Sequence, residues 1–184
     1  MFISMNPDAL NHNDELIFAD EENDELLFEN EDDELILTEE EAQQPQNSWK
    51  VMIVDDEIEI HSVTKLALDD FIFENKKLDF VSAYSGEQAV KVIQSNPDIA
   101  MIFLDVVMEH DRAGLDFVKY IRESLGNELV QIVLRTGQPG QVPEKQVIQE
   151  YDINDYKTKT ELTGIKLFTT VRTNLKTFSA LSQE

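Results

Sequence analysis

The chain has 184 residues, 41% hydrophobic and 29% charged, which is the balance of a soluble globular protein with room for one ordinary domain and some surplus. Its 38 Asp and Glu against 15 Lys and Arg leave a net charge of -23, a sign that disfavours a general nucleic-acid binder. The lack of cysteine removes disulfides, thiolate metal sites and cysteine nucleophiles, and the longest apolar run is the six residues 99–104, far short of the roughly 20 that span a bilayer, so a cytoplasmic protein without a membrane partner is expected.

The charge is uneven. Residues 1–49 hold 16 acids and no Lys or Arg, whereas residues 50–184 hold 22 acids and all 15 bases. The head carries an internal repeat, Asp14-Glu15-Leu16-Ile17-Phe18, Asp24-Glu25-Leu26-Leu27-Phe28 and Asp33-Glu34-Leu35-Ile36-Leu37, at spacings of ten and nine that hold no fixed helical face. Each copy is a small apolar cluster in an acidic matrix, too little to offset the entropy of ordering the chain. Residues 1–48 are therefore expected to be a disordered acidic tail ending in a linker around Pro45, with a folded domain over 49–184. The tail reads as a solubilising segment, or as a docking element whose apolar clusters seat on a surface with a basic border, on this chain or on another protein.

From Lys50 short apolar strands alternate with amphipathic stretches, the pattern of a parallel sheet with crossover helices. Residues 51–54 form the first strand, and a helix over 58–74 is expected to put Val63, Leu66, Ala67 and Phe71 on one side. Strand two spans 78–84, and Ser85 with Gln88 starts a capping-box helix that ends near Asn96-Pro97. Strand three spans 100–104, a helix 114–124, strand four 130–134, a helix opening on Pro143 reaches Tyr151, and strand five spans 153–157. The last helix, 161–178, turns Leu167, Phe168, Val171, Leu175 and Phe178 to the core and leaves Lys166, Arg172 and Lys176 within an arc of about 120° on the other side.

Such a doubly wound α/β sheet binds ligands beyond the carboxyl ends of its strands. There stand Asp55, Asp56 and Glu57 after strand one, Asp105 after strand three, Thr136 after strand four and Lys159 after strand five. Carboxylates converging without a cation raise one another's pKa, so the group asks for a hard divalent ion with oxygen ligands, best magnesium, while the Lys ammonium and Thr hydroxyl suit the oxygens of a phosphoryl group. Neither GxxxxGK[ST] nor GxGxxG occurs, so a nucleotide is not the obvious phosphate source. His12, His61 and His110 lack ligand spacing, and the latter two read as solvated or satisfied side chains.

Val-Asp-Asp-Glu at 54–57, Leu-Asp at 104–105, Thr-Gly at 136–137 and Tyr-Lys-Thr-Lys at 156–159 resemble the receiver domain of bacterial two-component response regulators, over roughly residues 50–178. The stretches 136–144 and 167–173 are similar to a receiver subfamily usually followed by an uncharacterised domain and an HD-GYP cyclic-dinucleotide phosphodiesterase; here the sequence stops at Glu184, and no output domain is expected. The resemblance implies the flavodoxin-like receiver fold, a five-stranded parallel sheet in the order 2-1-3-4-5. It implies that Asp105 accepts a phosphoryl group from a histidine kinase or phosphotransfer protein, with Mg2+ held by Asp55, Asp56, Asp105 and the backbone carbonyl of Val107. Thr136 and Lys159 would bind the phosphoryl oxygens, and Tyr156 would be the aromatic switch. Such a domain is a phosphoacceptor rather than an enzyme of independent turnover, and the face of its last helix often serves dimerisation or output. Val107 and Gln138 occupy the family positions that flank the hydrolytic water, which implies a long-lived aspartyl phosphate. The chain departs from the family in carrying Thr160 where proline usually follows the lysine, Glu109 where proline commonly stands, and Gly114 one residue late.

Two other readings compete. A magnesium-dependent phosphohydrolase would use the same Asp, Lys and metal, yet would want an acid where Val107 stands. An adaptor working through the acidic repeats would not need Asp105, Thr136 and Lys159 together.

Overall fold

The computed structural model describes residues 48–137, 144–161 and 164–183. The acidic tail with its repeats and linker, the Pro143 start of the fourth helix, and Gln138 lie outside the described residues. The elements follow in the order β1 (Ser48–Val54), α1 (Ile58–Ala67), β2 (Lys77–Ala83), α2 (Gly86–Ser95), β3 (Met101–Asp105), α3 (Ala113–Lys119), β4 (Gln131–Thr136), α4 (Glu144–Glu150), β5 (Asp155–Thr158) and α5 (Ile165–Leu181). The five strands make one parallel sheet in the order β2-β1-β3-β4-β5. This is the expected flavodoxin-like receiver fold.

Alternation along the strands divides the core in two. Met52, Val54, Ile102, Leu104, Ile132 and Leu134 point to one face, where they pack with Leu115, Val118 and Ile121 of the α3 region and with Val147 and Tyr151. Val51, Ile53, Met101, Phe103 and Val133 point to the other, against Leu68, Phe71 and the α5 residues Leu167, Val171 and Leu175. β3 is buried throughout because both its faces are covered. The expected inner stripe of α5 is in place, with Phe168 and Phe178 partly buried at its margin, and Lys166, Arg172 and Lys176 are exposed.

α1 departs from the expected helix in two ways. It ends at Ala67 rather than Glu74, and its inner side carries His61 and Thr64, while Val63 and Leu66 are exposed at 63% and 79%. The reason is polar: His61 and Thr64 have hydrogen-bond partners at the carboxyl end of the sheet, so they face inward and the apolar stripe faces out. Leu68 and Phe71 enter the core from the segment after the helix, which closes on the tight Phe73 to Lys76 turn with Glu74 and Asn75 at positive φ.

The α2 start is as expected at its first arm, since Ser85 Oγ accepts the Gln88 N–H at 3.2 Å. The second arm differs: the Gln88 side chain accepts the Tyr84 N–H at 3.0 Å, and the Glu109 carboxylate takes the Gly86 N–H at 2.9 Å. Glu109 thus ties the β3–α3 loop to a helix N-terminus, where negative charge is favoured. Ser85→Ala is expected to cost about 1 kcal/mol in urea unfolding, with little change in the cooperativity of the transition. α3 runs on into a π-helical turn, Tyr120–Ser124, within the expected helix 114–124.

Candidate functional site

The site is built from strand ends. β1 delivers Asp55, whose N–H bonds Ala83 O at 3.1 Å and whose carbonyl lies 2.8 Å from His61 Nε2, so its backbone is held on both sides. His61 Nδ1 in turn sits 3.0 Å from Ser82 Oγ. His61 is therefore satisfied rather than solvated, and burial, set against its hydrogen bond to Asp55, holds its pKa below the ordinary histidine value. Asp55 is fully buried, Asp56 beside it is exposed, and β3 brings in Asp105 at 3% exposure.

β5 and the turn after it supply the cation. The Lys159 N–H bonds Thr136 O at 2.8 Å, which fastens the turn to β4. Its ammonium lies 2.7 Å from Asp105 Oδ2, 3.1 Å from both Asp55 oxygens and 2.6 Å from Glu57 Oε1. Burial alone would lower the Lys159 pKa, but hydrogen bonds to Asp105 and Glu57 and the charges of Asp105 and Asp55 hold it above the usual lysine range. Burial pushes the Asp105 carboxyl up, against the downward pull of Lys159. Thr160, where the family usually has proline, belongs to a hydrogen-bonded turn in which Glu161 accepts the Thr158 N–H at 2.9 Å and Thr158 and Thr160 hydroxyls meet at 3.0 Å. The turn reaches the site without the ring.

Thr136 and Tyr156 face the other side of the sheet end, and their hydroxyls are hydrogen-bonded. Tyr156 is 9% exposed, packed in the core cluster with Val147 and Tyr151, and its pKa is raised by burial against the Thr136 bond. Val107, partly buried, donates its N–H to Asp105 Oδ1 at 3.2 Å. The seven residues named from the sequence thus lie at or beside the carboxyl end of the sheet, and Lys159 bridges Asp55 and Asp105. Sequence reasoning missed Arg135, which is 3% exposed, and gave no role to Thr64 or Glu57. Strand four was expected to stop at residue 134; its true end at Thr136 puts Arg135 in register with Asp105.

The donor set fits a hard divalent cation. Ligand oxygens from Asp55, Asp56 and Asp105 lie within 4.8 Å of one another. Asp55 Oδ2, fully buried, receives no hydrogen bond from any described residue although Lys159 and Arg135 stand 3.1 and 3.8 Å away. An all-oxygen set of carboxylates is what magnesium takes.

The fold and this acidic pocket define the receiver class, and the response regulator receiver domain family matches residues 51–172: the chain belongs to that family, whose members work in phosphorelay signalling. It is 51% identical over 136 residues to the 3'3'-cGAMP-specific phosphodiesterase 2 of Vibrio cholerae, a match that covers 74% of this chain and 26% of that protein. The chain thus spans about a quarter of that relative's length. Among solved structures it resembles the receiver domain of an HD domain-containing protein from Pseudomonas fluorescens (TM-score 0.62, 16% identity, 77% of this chain and 96% of that one). It also resembles a response regulator receiver domain from Clostridium thermocellum (TM-score 0.60, 18% identity, 72% and 98%). No described helix is long and apolar enough to cross a membrane.

Proposed function

We propose that the chain is a phosphorelay receiver that takes a phosphoryl group onto Asp105 from the phosphohistidine of a sensor kinase or phosphotransfer protein. The observation that carries this reading is the Lys159 bridge, an ammonium 2.7 Å from Asp105 and 3.1 Å from Asp55 in a pocket of converging carboxylates. In the transfer the P–N bond of the donor breaks as a P–O bond to an Asp105 oxygen forms, and the imidazole leaves. Asp55, Asp56, Asp105 and the Val107 carbonyl would hold Mg2+, which when bound supplies charge neutralisation for the carboxylates and the phosphoryl oxygens. Lys159 pairs with one phosphoryl oxygen and the Thr136 hydroxyl with another, so that a shift of Thr136 passes to its bonded neighbour Tyr156. The protein's contribution is positioning and electrostatics, and no group here needs to turn over a substrate.

Ile58, Val63 and Leu66 are exposed on α1, which starts at the pocket rim, and they offer apolar surface to a docking donor protein. The exposed α5 residues Lys166, Arg172 and Lys176 are the proposed homodimer or output face, with Arg172 also resting 5.4 Å from the Phe73 ring. A cytoplasmic location suits a partner of this kind.

The test is a small phosphodonor. Acetyl phosphate should label the chain stoichiometrically with Mg2+ and not with EDTA; continuous turnover would instead mean a phosphohydrolase, and no reaction an adaptor acting through the acidic repeats. Because an apolar side chain cannot orient a hydrolytic water, the aspartyl phosphate should be long-lived, and Val107→Asn should change its decay several-fold at unchanged melting temperature. Identical decay in the two proteins would remove that account of the lifetime.

A further inference from the structure

The described structure holds a second buried cation that the reading above does not use. Arg135, one residue before Thr136 at the end of β4, is 3% exposed and lies in register with Asp105, so Asp55, Asp105 and Arg135 form a row across the ends of three neighbouring strands, on the α1 side. Its Nη1 donates to Thr64 Oγ1 at 3.0 Å, its guanidinium lies over the Phe103 ring at 4.8 Å, and Nη2 is 3.8 Å from Asp55 Oδ2. Nε and Nη2 find no hydrogen-bond acceptor among the described residues. Burial, against the charges of Asp55 and Asp105, pushes its pKa down to about 10, so it is protonated at neutral pH. A guanidinium so buried, with two donor nitrogens unused, is a poor way to fill space, since taking a charge out of water carries a desolvation penalty that a carboxylate 3.8 Å away repays only in part. The position adjoins Phe103 and follows the buried Val133 and Leu134, where an apolar residue would pack at no such cost.

We propose that Arg135 is a positioning residue that serves as the internal counter-ion of the acidic pocket: it opposes divalent-cation binding to the empty site and favours the site once a phosphoryl group has added negative charge. This rests on the phosphoreceiver reading of the same site. Asp55, Asp56, Glu57 and Asp105 bring four negative charges, and Lys159 and Arg135 two positive ones, leaving the pocket at -2. Without Arg135 it stands at -3, which attracts a dication more strongly. Phosphorylation of Asp105 exchanges one negative charge for about two, and that added charge is better tolerated with Arg135 present. Thr64 bears on the balance, because its hydroxyl accepts from Nη1 and so competes with Asp55, 3.8 Å from Nη2, for the guanidinium.

The two halves have opposite signs, which separates them from a merely structural role. In the full chain, Arg135→Met should bind Mg2+ by calorimetry about tenfold more tightly than wild type, and at saturating Mg2+ should bind beryllium fluoride, a phosphoryl analogue, about tenfold more weakly. Arg135→Lys, which keeps the charge, should stay within about twofold of wild type in both titrations. Thr64→Val, which leaves Asp55 as the acceptor within reach of the guanidinium, should weaken Mg2+ binding a few-fold; it keeps the proposal testable if Arg135→Met fails to fold. Unchanged or weakened Mg2+ affinity in a folded Arg135→Met, Arg135→Lys behaving as Arg135→Met, or unchanged affinity in Thr64→Val would each overturn the proposal. If wild type itself binds neither Mg2+ nor the analogue, the phosphoreceiver reading falls first, and the counter-ion role with it.

Discussion

Asp105→Asn should abolish labelling by acetyl phosphate while raising the melting temperature of the metal-free protein. The first half follows because the carboxamide lacks the anionic oxygen that forms the acyl phosphate, and the other acids of the pocket lack the 2.7 Å contact with Lys159 that Asp105 has through Oδ2, Glu57 excepted at the exposed rim. Label that persists and maps to another acid would refute the assignment. The second half follows from the raised pKa of Asp105, caused by burial against the pull of Lys159. A carboxyl whose folded pKa exceeds its unfolded value stabilises the fold below the ordinary aspartate range, and that contribution is lost as pH rises through the folded value. At neutral pH the ionised group is therefore a net cost that the neutral amide removes. The advantage of the variant should shrink as pH falls into the acidic range; a variant less stable than wild type at pH 7 without metal would show that Lys159 outweighs the burial. Asp56→Ala, at an exposed position, should weaken Mg2+ binding with little effect on stability.

Gly114→Val should be among the most damaging single changes in the domain. A Cβ at this position would sit 2.0 Å from Asp105 O, 2.9 Å from Asp105 C and 3.0 Å from Val106 Cα, all backbone atoms that cannot turn away as a side chain can. The close approach exists because the first turn of α3 returns onto the end of β3, with Gly114 N–H donating to Val106 O at 3.1 Å. A loss of at least about 3 kcal/mol is expected in denaturant unfolding, at the upper end of overpacking effects, since the alternative is to move the strand that carries the phosphoacceptor. A variant within 1 kcal/mol of wild type, by the ordinary scale of surface changes, would mean that the loop yields easily. The one-residue offset of this glycine from the usual family position leaves that contact intact.

The five parallel strands were legible in the alternation of short strand-like runs with amphipathic stretches, whereas their order came only with the family resemblance; the chemistry sits where the strands end. Asp55, Asp56, Asp105, Thr136 and Lys159 could be picked out for that reason alone. What was not legible lay on the faces that periodicity treats as apolar. The 63, 66, 67, 71 stripe satisfies the helical spacing, yet α1 turns Thr64 and His61 inward because each has a polar partner at the sheet end, which no pattern of hydrophobicity records. Arg135 was lost to a strand boundary placed two residues short, where a charged residue after Leu134 looks like the start of a loop. Counting parity from Val133 would have put it on the Phe103 side, beside Asp105.

Arg135 and Thr136 are consecutive residues of one strand and so face opposite ways. One is clamped to α1 through Thr64; the other is bonded to Tyr156, among residues that belong to α4 and its flanks. The strand end is thus tied to one layer of the sandwich through Arg135 and to the other through Thr136. If phosphorylation shifts Thr136 as proposed, the displacement passes through Tyr156 toward β5 and the flank of α4, while Arg135 and Thr64 couple the same strand end to α1, so one event at the pocket is felt in both layers.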